Sequence, residues 1–430
     1  MHIVPPPLTS LLASLVMLIH AAGGSLAAQS HSPDYDDVDP WAGVQPPTQG
    51  PDSSAVAGFI RSLAATDPLV CQFVAHSIGN NWSHWEGGYE SGRLNAEDTH
   101  EKARQALSRR ITDHAALSHL ARSLGHQHSC VRRVAARMLG QSEAAEAVRQ
   151  LREALRHQHP RVREAAALGL AHAEDPATLH DLTRALRDRE PAVVRMAVYA
   201  LGQLKDARGV KPLGDLLRSN DPRTRAAAAT ALGEIEDTRA TDRLTPLVRD
   251  GEPLVRLAAI EALGKIEDHR ATTALGQALR DGDPAVRRAA ATALGEIENP
   301  KSADALAQAI SDPDVVVRRL AAQSLGELDD LARAPARLLA AIGDPDPELR
   351  VIAAMSLAEI ADSTVVPALS KAYAGAEPRL RYAIVKALSE TDDRRGDAVL
   401  SVAARDKENA IRDMAAETLE DRREDDDDDE

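Results

Sequence analysis

The stretch DGEPLVRLAAIEALGKIED, from Asp250 to Asp268, determines the fold of this chain. Its apolar residues, among them Val255, Ala259 and Leu263, recur at the spacing of one face of an α-helix. Pro253 suits the first helical turn, because its missing N–H needs no partner there. The stretch therefore predicts an amphipathic helix that begins near Pro253.

The same pattern recurs along the chain with a period of 31 residues. Asp268 is predicted to cap the next, shorter helix, so that each repeat is two helices joined by tight turns. A Val-Arg pair or a close equivalent marks ten copies, spaced 31 residues apart except for one spacing of 32. The anchor residues, which begin these pairs, are Val131, Val162, Val193, Thr224, Val255, Val286, Val317, Leu349, Leu380 and Ile411. Weaker matches upstream extend the predicted array to residues 55–421, and the expected fold is an all-α, right-handed α-solenoid of about twelve helical hairpins.

Composition agrees with helical hairpins and excludes several classes of protein. Of the 430 residues, 43% are hydrophobic but only 2% are aromatic, so the core must consist of Ala, Leu, Val and Ile. Such a composition argues against a β-sandwich or barrel, which needs β-branched and aromatic residues. The net charge of −15 makes the chain a poor general binder of nucleic acid or of anionic membranes.

Both ends of the chain differ in composition from the repeats. Residues 1–27 read as a signal peptide, because an apolar run from Leu8 to Ile19 precedes small residues, although only His2 stands where Lys or Arg is usual. We therefore expect an exported protein, periplasmic or extracellular, without an integral membrane segment in the mature chain. Residues 28–54, rich in Pro and Asp, are predicted to be a disordered linker, and the acidic residues 422–430 a disordered tail.

The repeat resembles the HEAT family, and in particular the short bacterial repeats called phycobilin-lyase-like HEAT repeats. The resemblance rests on a turn acid followed by a Val-Arg pair, as in Asp250 with Val255-Arg256 and Asp281 with Val286-Arg287. It implies the α-solenoid architecture. It does not imply an activity, since adaptors, lyases and hydroxylases all use such repeats.

Arginine occupies the position after the anchor in nearly every repeat. These residues are Arg132, Arg163, Arg225, Arg256, Arg287, Arg318, Arg350, Arg381 and Arg412. They could form an anion-binding stripe, or each could bridge a turn acid of its own or a neighbouring repeat. We favour the second interpretation, because the turn acids recur with the same period and the planar guanidinium suits such bridges.

An insertion at residues 80–100 interrupts the pattern and contains Trp82, Trp85 and Tyr89. These aromatic side chains are either a partner-binding loop or a cap on the end of the array, and we favour the cap. Cys71 and Cys130 could form a disulfide if the protein is exported, although regular stacking would separate them by two repeats.

Two His-Gln-His turns lie one period apart, where other repeats have Asp or Glu. Their residues are His126, His128, His157 and His159. Four stacked imidazoles could bind a transition metal. We favour solvated turn residues and predict no metal and no cofactor, because repeats about 10 Å apart would strain the chelation.

Two classes of function remain. The favoured one is a non-catalytic scaffold that binds a protein or peptide on the face of the second helices, with no nucleic acid. The candidate partner-binding residues are Arg133, Arg195, Tyr199, Arg288, Arg319 and Tyr382, with Trp82, Trp85 and Tyr89 of the insertion. The alternative is an enzyme that resembles HEAT-repeat hydroxylases or lyases. The hydroxylases carry several His-Glu pairs as iron ligands, whereas this sequence has one, His100-Glu101, and the export signal argues against an intracellular lyase.

Overall fold

A computed structural model describes residues 52–65, 111–328, 331–391 and 393–428. Every regular element in these ranges is helical, which confirms the all-α prediction. The chain divides into two compact units, Met1–Pro212 and Leu213–Glu430. The predicted signal peptide, nearly all of the linker and the insertion lie outside the described residues. None of the described helices has the length and apolar character needed to cross a membrane.

The α-helices are numbered in chain order. Those of the first unit are α1 (Ser53–Ala65), α2 (His114–Ser123), α3 (Ser129–Gly140), α4 (Ala145–Ala154), α5 (Pro160–Ala173), α6 (Leu179–Ala185) and α7 (Pro191–Gln203). Helix α8 (Val210–Leu216) contains the division. Those of the second unit are α9 (Pro222–Ile235), α10 (Thr241–Leu244), α11 (Pro253–Ile266), α12 (Thr272–Ala278), α13 (Pro284–Glu296), α14 (Ala303–Ala309), α15 (Val315–Gly326), α16 (Ala336–Ala340), α17 (Pro347–Ile360), α18 (Val366–Tyr373), α19 (Pro378–Ser389), α20 (Asp397–Ala403) and α21 (Asn409–Asp428).

From α2 onward, each even-numbered helix is the first helix of a hairpin and the odd-numbered helix after it is the second. Ten hairpins lie within the described residues, and the two further predicted repeats fall outside them except for α1, which lies at the start of the predicted array. Within each unit, consecutive second helices pack against one another, and each first helix packs against the second helix of its own hairpin. This is the arrangement that the 31-residue period predicts.

The core consists of the aliphatic residues that the composition requires. The anchors Val131, Val193 and Val255 are completely buried, together with Ala and Leu from both helices of each hairpin. Consecutive second helices approach closely where glycine follows the apolar face. A Cβ on Gly233 of α9 would lie 2.8 Å from the Cα of Ala262 on α11, so only glycine fits this contact.

The turn after the second helix is capped as the sequence predicts in seven of the repeats. The Asp268 carboxylate accepts a hydrogen bond from the Arg270 backbone N–H at 3.0 Å. The same cap is made by Asp175, Asp206, Asp237, Asn299, Asp362 and Asp393. The residue before the cap is left-handed at Glu174, Lys205, Glu236, Glu267, Glu298 and Ala361, for example with φ 55° at Glu267. Sequence reasoning missed this feature, because glycine is the usual residue at such a position.

Helix α21 continues to Asp428 and so extends into residues 422–430, the tail whose disorder the sequence predicts. Arg422 is only 7% exposed. Its guanidinium donates to the Leu388 carbonyl at 2.8 Å, to the Thr391 carbonyl and to the Asp397 carboxylate. These contacts attach the start of the tail to the preceding hairpin. At the other end, α1 begins at Ser53, two residues before the predicted start of the array.

Candidate functional site

The arginine after the anchor of one repeat binds the turn that precedes the second helix of the next repeat. Arg163 donates from Nε to Asp188 Oδ2 at 2.6 Å and from Nη2 to Asp188 Oδ1 at 2.8 Å. Its Nη1 donates to the carbonyls of His157 and Gln158, both at 2.9 Å. One guanidinium therefore joins two consecutive turns, and we call this contact a ladder rung.

The second unit contains the same rung in several repeats. Carboxylates accept hydrogen bonds from both Nε and Nη2 in the pairs Arg225–Asp250, Arg287–Asp312 and Arg381–Asp406. Arg256 donates only from Nη2 to Asp281, at 3.0 Å, and forms an ion pair with the same carboxylate. Looser versions are Arg318–Asp344 at 3.8 Å and Arg350–Glu377 at 3.0 Å, while Arg412 donates to Asn409. The hydrogen bonds from Arg225 lower the pKa of Asp250. The column of arginines thus makes internal contacts between repeats.

Additional pairs lie beside the rungs in the second unit. Arg288 donates from Nε to Asp314 at 3.1 Å, and Arg319 donates two hydrogen bonds to Asp346 at 2.7 Å. These contacts lower the pKa of each carboxyl to about 2. Asp314 and Asp346 also cap the helices α15 and α17. Arg288 and Arg319 were predicted as partner-binding residues, but their guanidinium groups are paired within the chain.

Sequence reasoning missed these second pairs because it searched at the repeat period. Their acids lie at the cap of the following second helix, 26 and 27 positions along the chain. A search for an acid two residues after each rung acid would have found them.

The ladder is interrupted in the first unit at Arg132. Its Nη1 donates to the carbonyls of His126 and Gln127 at 2.8 and 2.9 Å, as in the other rungs. However, His157 occupies the position of the rung acid, and no carboxylate of the described residues forms a salt bridge with Arg132. Burial, followed by the charge of Arg161, lowers the pKa of this guanidinium.

The histidines of the two His-Gln-His turns replace the turn acid in one of its two roles. His157 Nδ1 accepts the His159 backbone N–H at 3.1 Å, as Asp188 Oδ1 accepts that of Glu190 at 3.0 Å. His126 and His128 repeat this contact, and their rings stack at 5.3 Å. The imidazoles thus preserve the turn without the negative charge. Within the described ranges, no group of three or more potential ligands is placed to hold a metal ion.

Five side chains on α3, α5 and α7 form what we call the unit-1 face: Arg133, Arg137, His172, Arg195 and Tyr199. Arg133 is exposed, Arg195 is half-buried and Tyr199 is 43% exposed. Burial, reinforced by the charge of Arg137, lowers the pKa of His172 to about 4. Tyr199 in turn raises the pKa of Arg137 against the larger effect of burial. The face is therefore basic and aromatic, with a neutral imidazole.

Comparison with known proteins now identifies the repeats. The HEAT-repeat family matches residues 117–202, 148–220, 180–264, 210–283, 272–343 and 334–420, which together cover most of the chain. The chain belongs to the HEAT-repeat family. No curated protein matches the sequence.

Among solved structures, importin beta is similar to this HEAT protein with a TM-score of 0.54 and 14% identity, over 85% of this chain and 58% of that chain. An engineered protein is similar with a TM-score of 0.47 and 21% identity, over 71% of this chain and 98% of that one. The complex of CpcE and CpcF of phycocyanin lyase from Nostoc sp. PCC7120 is similar with a TM-score of 0.35 and 23% identity, over 56% of this chain and 94% of that chain. The similarity to importin beta is a similarity of fold alone.

The remaining predicted residues of this HEAT protein are placed as follows. Tyr382 on α19 is 37% exposed, and Cys130 on α3 is buried. Cys71 lies outside the described residues, so its pairing with Cys130 stays a prediction. Trp82, Trp85 and Tyr89 also lie outside them. Sequence reasoning missed Arg137 and His172, although Arg137 shares the register of Tyr199, six residues past the anchor.

Proposed function

We propose that this HEAT-repeat protein is a non-catalytic scaffold that binds a protein or peptide partner on the unit-1 face. The observation that carries the proposal is the exposure of Tyr199, on the same helix as Arg195, together with the exposure of Arg133 on α3. Tyr199 and Arg133 both act electrostatically on Arg137, which places them on one side of the unit. Tyrosine and arginine are enriched in the residues that dominate binding energy at protein interfaces, because they combine large contact area with polar groups. The anchor residues, in contrast, are buried between helices.

The corresponding surface of the second unit supports this choice of face. Arg288 and Arg319 are paired with carboxylates there. The positions that match Tyr199 hold Glu261, Thr292 and Gln323, which are exposed polar residues. Since interfaces are enriched in aromatic residues and arginine and depleted in glutamate, the first unit is the better docking surface.

Crosslinking in the native host tests the binding face. A photo-reactive residue at position 199 should capture a partner that mass spectrometry identifies, while the same residue at position 292, in the matching register of the second unit, should capture much less. Arg133→Ala should weaken the capture at position 199. Equal capture at both positions would place the partner elsewhere and contradict the proposal.

We also propose that the protein is exported, which the apolar run and small residues of positions 1–27 support. Cell fractionation should find it outside the cytoplasm, with a mature chain that begins near residue 28. A full-length chain in the cytoplasmic fraction would contradict this.

A further inference from the structure

The turn formed by His157, Gln158 and His159 lacks two carboxylates that the corresponding turns of other repeats supply. In the second unit, Asp312 binds Arg287 with an Nε–Oδ2 distance of 2.8 Å, and Asp314 binds Arg288. Asp346 binds Arg319 with an Nε–Oδ2 distance of 2.7 Å, and Asp344 lies 3.8 Å from Arg318. Two adjacent arginines on one second helix thus meet two acids, spaced two residues apart, in the next turn.

Arg132 and Arg133 are the matching arginines on α3. His157 and His159 stand at the positions of the next turn that Asp312 and Asp314 occupy in the second unit. No carboxylate of the described residues forms a salt bridge with either arginine. His157 Nδ1 accepts a backbone N–H of its own turn, so this nitrogen does not receive the guanidinium of Arg132. Arg161, exposed at the start of α5, adds a third positive charge, and Glu164 is the one acid that acts on Arg132.

We propose that Arg132 and Arg133 form an open binding site for two carboxylates of an acidic segment in a partner protein. The inference rests on the proposed function and adds the chemistry of the partner. A planar guanidinium with Nε and Nη2 available matches a carboxylate in a two-hydrogen-bond geometry, as Asp188 shows against Arg163. The partner's acids take the places that Asp312 and Asp314 occupy in the second unit.

The chain itself offers variants that close the site. Replacing His157→Asp together with His159→Asp recreates the acid spacing of the turn at Asp312, so both arginines become paired internally. Replacing His157→Asn together with His159→Asn keeps a side-chain oxygen for the turn but adds no charge. The two double variants differ only in the charge that the proposal invokes.

Fluorescence anisotropy of a labelled penta-aspartate peptide at low ionic strength measures the site. The wild-type protein and the Asn double variant should bind, whereas the Asp double variant and Arg132→Ala should bind at least about tenfold more weakly, since hydrogen bonds between charged groups are lost. The Asp double variant should also unfold at a higher temperature than the Asn double variant, because it closes the rung.

Three results would overturn the proposal. The Asp double variant could bind the peptide as well as the wild type, the Asn double variant could lose binding, or inorganic phosphate could bind more tightly than the peptide. Both sites share Arg133, but crosslinking at position 199 does not involve Arg132, and the binding of the peptide does not involve Tyr199. A failure of the unit-1 face as the docking surface can therefore be distinguished from a failure of the open site.

Discussion

Replacing Arg422→Ala should open the last hairpin of this HEAT protein. Arg422 is 7% exposed, and its guanidinium binds the buried carbonyls of Leu388 and Thr391 together with the Asp397 carboxylate. Its own carbonyl accepts a hydrogen bond from Arg394 at 2.5 Å, which alanine would preserve. The substitution thus removes three charge-assisted hydrogen bonds and leaves the Thr391 carbonyl without this donor, while the Leu388 carbonyl still accepts from the Thr391 hydroxyl at 3.1 Å.

The magnitude follows from these three contacts. Hydrogen bonds to charged groups contribute about 1.5–3 kcal/mol each, but the loss is less than additive and Asp397 is partly solvated. We therefore expect a loss of about 2–4 kcal/mol in the free energy of opening α20 and α21. Because the stability of a repeat array is a sum of local terms, the loss should be confined to the end of the chain.

Hydrogen exchange followed by mass spectrometry measures this opening. Amides of α20 and α21 should exchange about 30-fold faster or more in Arg422→Ala, while those of α11 and α13 should be unchanged. Arg423→Ala is the matched control, because Arg423 is exposed on the same helix. Equal exchange in the two variants would refute the docking of Arg422, and so would a deletion of residues 421–430 that leaves exchange unaltered.

Three further perturbations test the packing and the charges. Gly233→Ala should lower the free energy of unfolding, measured in urea, by about 1–3 kcal/mol, because the new Cβ would lie 2.8 Å from the α11 backbone. Gly276→Ala is the control: its Cβ would make only an ordinary contact at 3.5 Å, so the free energy of unfolding should stay unchanged or rise. The hydrogen bonds from Arg270 lower the pKa of Asp268 from 3.8 to about 2, so the unfolded state takes up the proton first and acidification from pH 4 to 2 reduces stability. That reduction should be smaller in Asp268→Asn, and an equal reduction would contradict the assignment. Burial lowers the pKa of His172 from 6.5 to about 4, so stability should fall as the pH decreases through this range, and His172→Gln should lose this part of the pH dependence, which urea titrations at several pH values measure.

The hairpins could be predicted from the sequence because the repeat is set by short-range chemistry. Apolar spacing, Pro253 in the first helical turn and the Asp268 cap each act within a few residues, and ten copies reinforce the pattern. The acids that bind the column of arginines could also be predicted in kind, because they recur with the same period. These features depend on local geometry and on repetition, which a single sequence displays.

The features that could not be predicted depend on contacts between repeats. Arg422 belongs to the acidic run DRREDDDDDE, where it reads as a solvated charge, yet its long side chain reaches carbonyls more than thirty residues earlier. Arg137 and His172 come together only when α3 packs on α5. The pairing of Arg288 with Asp314 crosses repeats outside the period. In each case, the packing of one repeat on another determines which residues come into contact.

The turn at His157 lacks the acid that most arginines of the ladder bind. Acidic residues outnumber basic ones by 66 to 51, and the turns at Asp188, Asp250 and Asp312 all supply a rung acid. Arg132 and Arg133 form no salt bridge with a carboxylate of the described residues and lie near the like charge of Arg161, so an acid at position 157 would stabilise the unit. A residue that lowers the stability of the folded chain is expected where that position serves binding rather than folding. The same two arginines that cost stability in the isolated chain become favourable when an acidic partner supplies the carboxylates. Stability and binding should therefore change in opposite directions when His157 and His159 are replaced by Asp, a coupling that a purely structural turn would not produce.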